Sequence, residues 1–95
     1  MTNYSIGRAF EYRVKKYLEK EGFVVFRSAG SHSPADLVAL KLGEVWLVQC
    51  KANDYVPQKE LDGLKLVARE LGVMPVLAHR QGHALTMQKL EELGE

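Results

Sequence analysis

The chain has 95 residues, 46% of them hydrophobic and 26% charged, and a formal net charge of +1. That is enough for one hydrophobic core and too little for two, so a single domain over residues 1–95 is expected. No apolar run approaches the ~20 residues that cross a bilayer, and a single cysteine, Cys50, excludes an internal disulfide and a cysteine-based zinc site.

The first stretch, MTNYSIGRAFEYRVKK, lacks a signal-peptide layout, which points to the cytoplasm and away from a membrane. Ser5 can cap a helix running to about Glu21, closed by Gly22, with Ile6, Phe10, Val14, Tyr17 and Leu18 as its apolar stripe. FVVFR (23–27) reads as a strand and SAGSHSPA (28–35) as a small-residue loop. DLVALKL (36–42) and VWLVQCKA (45–52) read as two further strands, joined tightly through Gly43-Glu44. NDYVP is a turn, Pro57 can start a helix over 58–72, and Gly72 closes it. MPVLAH (74–79) is a fourth strand and HALTM (83–87) a fifth, with a short terminal helix expected from Thr86 or Met87. The order α-β-β-β-α-β-(β-α) predicts an α/β fold, a mixed sheet with helices against it.

Val45 to Val48 are apolar on both faces, yet the same strand ends on Gln49 and Lys51. An unpaired ammonium is costly to bury, so Lys51 needs a partner. With Leu42 paired to Val45, Asp36 falls opposite Lys51 and Val38 opposite Gln49, which gathers Asp36, Gln49 and Lys51 on one face. A loop shifted by one position keeps that grouping, whereas a three-residue loop breaks it. Glu11 borders the apolar stripe of the first helix, so it either reaches solvent or points at a cation. Two explanations stand for the group. One is an Asp36–Lys51 ion pair, which adds little net stability. The other is a hard-cation site, since Mg²⁺ takes oxygen ligands, with Lys51 as a point charge beside a phosphate.

The segment GRAFEYRVKKYLEKEGFVVFRSAGSHSPADLVALKLGEVWLVQCKA resembles the archaeal-type Holliday-junction resolvases of the PD-(D/E)xK nuclease superfamily. The resemblance rests on Gly7-Arg8 with Glu11, Phe23–Arg27, Gly30-Ser31, Pro34-Ala35-Asp36 and Gln49-Cys50-Lys51, and covers about half the chain closely. It implies a restriction-endonuclease-like fold and a homodimeric, Mg²⁺-dependent endonuclease, with Mn²⁺ able to substitute. Such an enzyme resolves four-way DNA junctions by paired symmetric nicks, water attacking the phosphodiester to leave 5′-phosphate and 3′-hydroxyl ends. By the same resemblance Lys51, Asp36, Glu11 and Gln49 are the catalytic set. Asp36, Glu11, Gln49 and the backbone carbonyl of Cys50 would hold metal. Arg8, Arg27 and Ser31 would face DNA; Lys15, and His32 beside Ser31, are added as candidate contacts.

Gln49 departs from the family pattern, which carries a glutamate there. An amide oxygen ligates a hard cation but brings no charge, which lowers the expected metal affinity and gives Glu11 more weight. Another branch- or end-specific Q-x-K nuclease, or a catalytically weakened DNA-binding protein on the same fold, are the alternatives. Residues 1–51 hold eight Lys and Arg against five Asp and Glu, and residues 52–95 hold five against seven. That one-sided basic bias suits a polyanionic partner. Arg13, Lys15, Lys16 and Lys20 are expected on a solvated helix face, Trp46 and Cys50 in the core behind the site, and Tyr12 and Tyr55 in packing rather than base stacking. The apolar run LKLVARELGVMPVLA is expected behind the sheet, with what remains of it available for a dimer interface.

Overall fold

A computed structural model describes residues 3–28, 33, 35–53 and 56–90. Its elements are α1 (Asn3–Lys20), β1 (Val24–Arg27), β2 (Leu37–Lys41), β3 (Glu44–Lys51), α2 (Gln58–Leu71), β4 (Met74–Gln81) and β5 (Ala84–Lys89). The strands make one sheet in the order β1-β2-β3-β4-β5. β3 and β4 run parallel and the other neighbours antiparallel. A parallel pair needs a crossover, and α2 supplies it.

The helices lie on opposite faces because successive strand residues point to opposite sides of a sheet. Val48 packs with Phe10, Val14 and Leu18 of α1, while its neighbour Leu47 packs with Leu64 and Ala68 of α2. Phe10, Val14 and Leu18, spaced by four, form the buried line of α1. Ile6 and Tyr17 of the expected stripe are exposed instead, at 36% and 42%, because that single line already fills the contact with the sheet. Both helices end the same way. Gly22 (φ 100°) and Gly72 (φ 72°) take the left-handed conformation, and Phe23 and Val73 donate to the carbonyls of Leu18 and Ala68. This 6→1 closure satisfies carbonyls at the helix end and suits glycine, which has no Cβ to clash.

Three expectations are corrected. The first helix begins by Asn3, which places Ser5 inside it rather than at its cap. The hairpin loop is Leu42-Gly43, with Lys41 paired to Glu44 and Gly43 at φ 79° as the second loop residue. The ladder therefore slides by two, to Val38↔Leu47 and Leu37↔Val48, and the expected pairs Asp36–Lys51 and Val38–Gln49 do not form. Because the shift is even, every side chain keeps its face. Finally, no helix begins at Thr86 or Met87. Both belong to β5, where Thr86 pairs with His79 and Met87 with Ala78 while Leu85 and Met87 pack on the core beside α1. Pairing with β4 and packing of Leu85 and Met87 on the core outweigh a weak helical pattern at that point.

Among the described residues no helix is long and apolar enough to cross a membrane.

Candidate functional site

The site begins where β2 and β3 end. Val48 and Cys50 face α1, and Cys50 packs against that core as expected, as does Trp46, whose ring lies tilted at 47° with its centroid 4.7 Å from that of Phe23. Gln49 and Lys51 therefore face α2. The ammonium of Lys51 lies 2.8 Å from the Glu60 carboxylate in the first turn of α2, and its side chain stays 26% exposed. So the partner that Lys51 needs is Glu60, and no Asp36–Lys51 ion pair is formed.

Asp36 stands where the strand alternation breaks. Ala35 is buried on the α2 side and Leu37 on the α1 side, although two residues along a strand share a face. The chain bends at Asp36, and hydrogen bonds fix the bend. Its N–H donates to the Val48 carbonyl at 2.9 Å, and the Cys50 N–H donates to its carboxylate at 2.8 Å. The carboxylate is thereby fastened to the middle residue of Gln49-Cys50-Lys51.

Burial raises the Asp36 pKa above its ordinary value of 3.8. The Cys50 N–H opposes that, Glu11 adds to it, Lys51 opposes it and Glu60 adds to it. Carboxylates from both helices thus push on Asp36, a field that a cation would relieve. Among the described residues no three His, Cys, Asp or Glu side chains converge closely enough to cage a metal. Mg²⁺ does not require such a cage, because it is commonly held by one or two carboxylates with water and substrate phosphate completing the shell. The residues present fit that pattern, with Asp36 as its anchor.

Two consequences are measurable. An acid with a raised pKa binds its proton more readily folded than unfolded, so its contribution to stability falls as pH rises from about 3.8 through the folded value. Asp36→Asn keeps an oxygen for the Cys50 N–H and removes the charge. It is expected to melt higher than the wild type at pH 7, with the advantage shrinking toward pH 4 in thermal melts. Equal melting at pH 7 would contradict the assignment of a strained charge. Burial, then the charges of Asp36 and Glu11, push the Cys50 thiol far above its ordinary range. Iodoacetamide at pH 8 is therefore expected to alkylate Cys50 at least about tenfold more slowly than a free thiol, as mass spectrometry would show.

Glu11 does point at a cation. It accepts from Arg27 Nε at 3.0 Å, with its side chain 20% exposed. Arg27, expected toward phosphate, is engaged there. Lys15 pairs with Glu19 one turn along α1 at 2.8 Å, and Lys16 lies over the Tyr12 ring. Arg13 donates to the His83 carbonyl at 2.8 Å. Arg8 lies exposed three residues before Glu11. Ser31, His32 and Tyr55 lie outside the described residues.

Two residues escaped the sequence reading. Glu60 looked like an ordinary acid favoured at a helix start. Arg80 falls just past the fourth strand expected over 74–79, but β4 extends through it. A cleft of about 370 Å³ opens between Ile6 and Gly7 of α1, the β3 end at Lys51, and Arg80. Lys51 and Arg80 make its lining cationic.

The family profile described as archaeal Holliday junction resolvase (Hjc) matches residues 2–95. The crossover junction endodeoxyribonuclease Hjc of Methanocaldococcus jannaschii is 39% identical over 79 residues, which cover 79% of this chain and 59% of the relative. The chain thus spans about three fifths of that relative's length. The solved structure of Archaeoglobus fulgidus Hjc, a Holliday junction resolvase from a hyperthermophile, superposes with a TM-score of 0.76 at 26% identity. That match covers 87% of this chain and 76% of the other.

Proposed function

Because the chain belongs to the archaeal Holliday junction resolvase family, we propose that it is a Mg²⁺-dependent endonuclease that resolves four-way DNA junctions by paired, symmetric nicks. The observation that carries this reading is the Asp36 carboxylate held by the Cys50 N–H, between Gln49 and Lys51. It joins the two halves of the motif within one hydrogen bond.

In this reading Asp36 holds the divalent ion, with Glu11, Gln49 and the Cys50 carbonyl as the further oxygen donors. Bound there, Mg²⁺, or Mn²⁺ in its place, supplies Lewis-acid stabilisation of charge on the phosphate. Lys51 directs its ammonium at the scissile phosphate, neutralises charge developing on its oxygens and helps orient the attacking water. The Cys50 N–H aims the Asp36 carboxylate and favours its ionised form, which offsets part of the burial that favours the neutral one. Arg8 and Lys15 on α1, with Ser31 and His32 earlier in the chain than Asp36, serve as contacts to the DNA backbone. Arg27 orients Glu11 and can exchange that partner for a phosphate. Symmetric nicking needs two sites presented together, so a homodimer is part of the proposal. Acting on DNA, the protein would work in the cytoplasm.

Gln49 keeps a second reading in play, that of a junction-binding protein that no longer cuts, or a Q-x-K nuclease for other branches or ends. Competition among four-way junctions, flaps and linear duplex separates these. Gln49→Glu adds a charge to the ligand set and is expected to lower the Mg²⁺ concentration for half-maximal cleavage by about tenfold. An unchanged Mg²⁺ requirement would mean that position 49 is not a ligand.

A further inference from the structure

The Lys51–Glu60 pair is short, at 2.8 Å, yet its members are 26% and 45% exposed. Pairs that open to water contribute at most about 1 kcal/mol to stability, so folding gives little reason for its geometry. The pair acts on position instead. A free lysine side chain has four rotatable bonds and sweeps a wide volume. Glu60 restricts that sweep from a helix, since α2 holds it rigidly in its first turn. The face they share also carries Gln49, whose amide is neutral.

We propose that Glu60 is a positioning residue of the hydrolytic site: it holds the Lys51 ammonium beside Asp36 and supplies, from α2, the negative charge that Gln49 does not bring. The carboxylate of the cluster has in effect been placed on the helix rather than on the strand. On this account Gln49 and Glu60 form a functional pair, in which one carboxylate on the α2 face is required and its address is secondary. The proposal rests on the nuclease reading for its consequence in cleavage, and on the geometry alone for its consequence in cation binding.

The test is a charge transplant with two readouts. Glu60→Gln, Gln49→Glu and the double variant are compared for single-turnover cleavage of a four-way junction in Mg²⁺, and for Ca²⁺ binding to the DNA-free protein by calorimetry. Glu60 is half exposed and its replacement is isosteric, so melting curves should match the wild type. Glu60→Gln is expected to cut about tenfold more slowly and to bind Ca²⁺ about tenfold more weakly, the loss of one hydrogen bond between charged groups. Adding Gln49→Glu is expected to return both to near the wild-type values. A Glu60→Gln protein that cuts and binds Ca²⁺ like the wild type would overturn the proposal, as would losses that Gln49→Glu does not repair. A wild type that cuts nothing would sink the nuclease reading, and the Ca²⁺ titrations would still decide the role of Glu60.

Discussion

Asp36→Ala is expected to cost about a thousandfold in junction cleavage, while junction affinity stays within about twofold. The carboxylate is the element that every other part of the site addresses. The Cys50 N–H fastens it, both helices bring acids to bear on it, and Lys51 lies on the adjoining strand. Its loss would remove the proposed anchor for a divalent ion, and no neighbouring acid is hydrogen-bonded into the strand in the same way among the described residues. Binding should survive, because affinity for DNA comes mainly from cations that neutralise phosphates, and removing a negative charge does not weaken those contacts. The alanine also leaves the Cys50 N–H without its acceptor, which costs about 1 kcal/mol or more. Asp36→Asn, which retains that bond, separates a lost charge from a loosened strand end. If Asp36→Ala cuts at an appreciable rate in gel assays, Asp36 does not hold the ion.

Lys51→Ala is expected to slow cleavage about a hundredfold or more, with cation binding by the DNA-free protein largely kept. The distinction follows from chemistry, since an ammonium donates and neutralises but cannot ligate a cation. Its removal should even favour cation binding slightly, by freeing Glu60. Stability should change little, because the pair it leaves is partly solvated. Calorimetry with Ca²⁺ beside single-turnover cleavage in Mg²⁺ reads both effects. Loss of Ca²⁺ binding in Lys51→Ala would recast Lys51 as a residue that shapes the strand end.

Most of the architecture is written in local signals. Gly22 and Gly72 mark both helix ends because only glycine reaches the left-handed conformation without cost, and the β2–β3 hairpin is announced by Gly43. The parity of Gln49 and Lys51 follows from strand alternation, and survives a two-residue error in register because sheets repeat every two residues. What the sequence hides is longer-ranged. The bend at Asp36 depends on hydrogen bonds to residues twelve and fourteen positions away, at Val48 and Cys50. Such bonds leave no mark on neighbouring residues. The pairing of Lys51 with Glu60 depends on how α2 is laid across the sheet, which no periodicity reports. Arg27 and Glu11 illustrate the same limit: both were singled out, but their 3.0 Å contact depends on how α1 packs against β1. β5 shows the reverse case, where a short helical pattern at Thr86 and Met87 yields to pairing with β4.

If the group around Asp36 and Lys51 cuts branched DNA, the nicks can be read directly on a gel. An end-labelled synthetic four-way junction is incubated with the protein, with and without Mg²⁺, beside a linear duplex of the same sequence. Paired nicks are expected at symmetric positions on opposing strands of the junction, only with the metal, and no cutting of the duplex. Tight junction binding without a nick in either Mg²⁺ or Mn²⁺ would contradict the nuclease reading, and would make this a binding protein built on a nuclease fold.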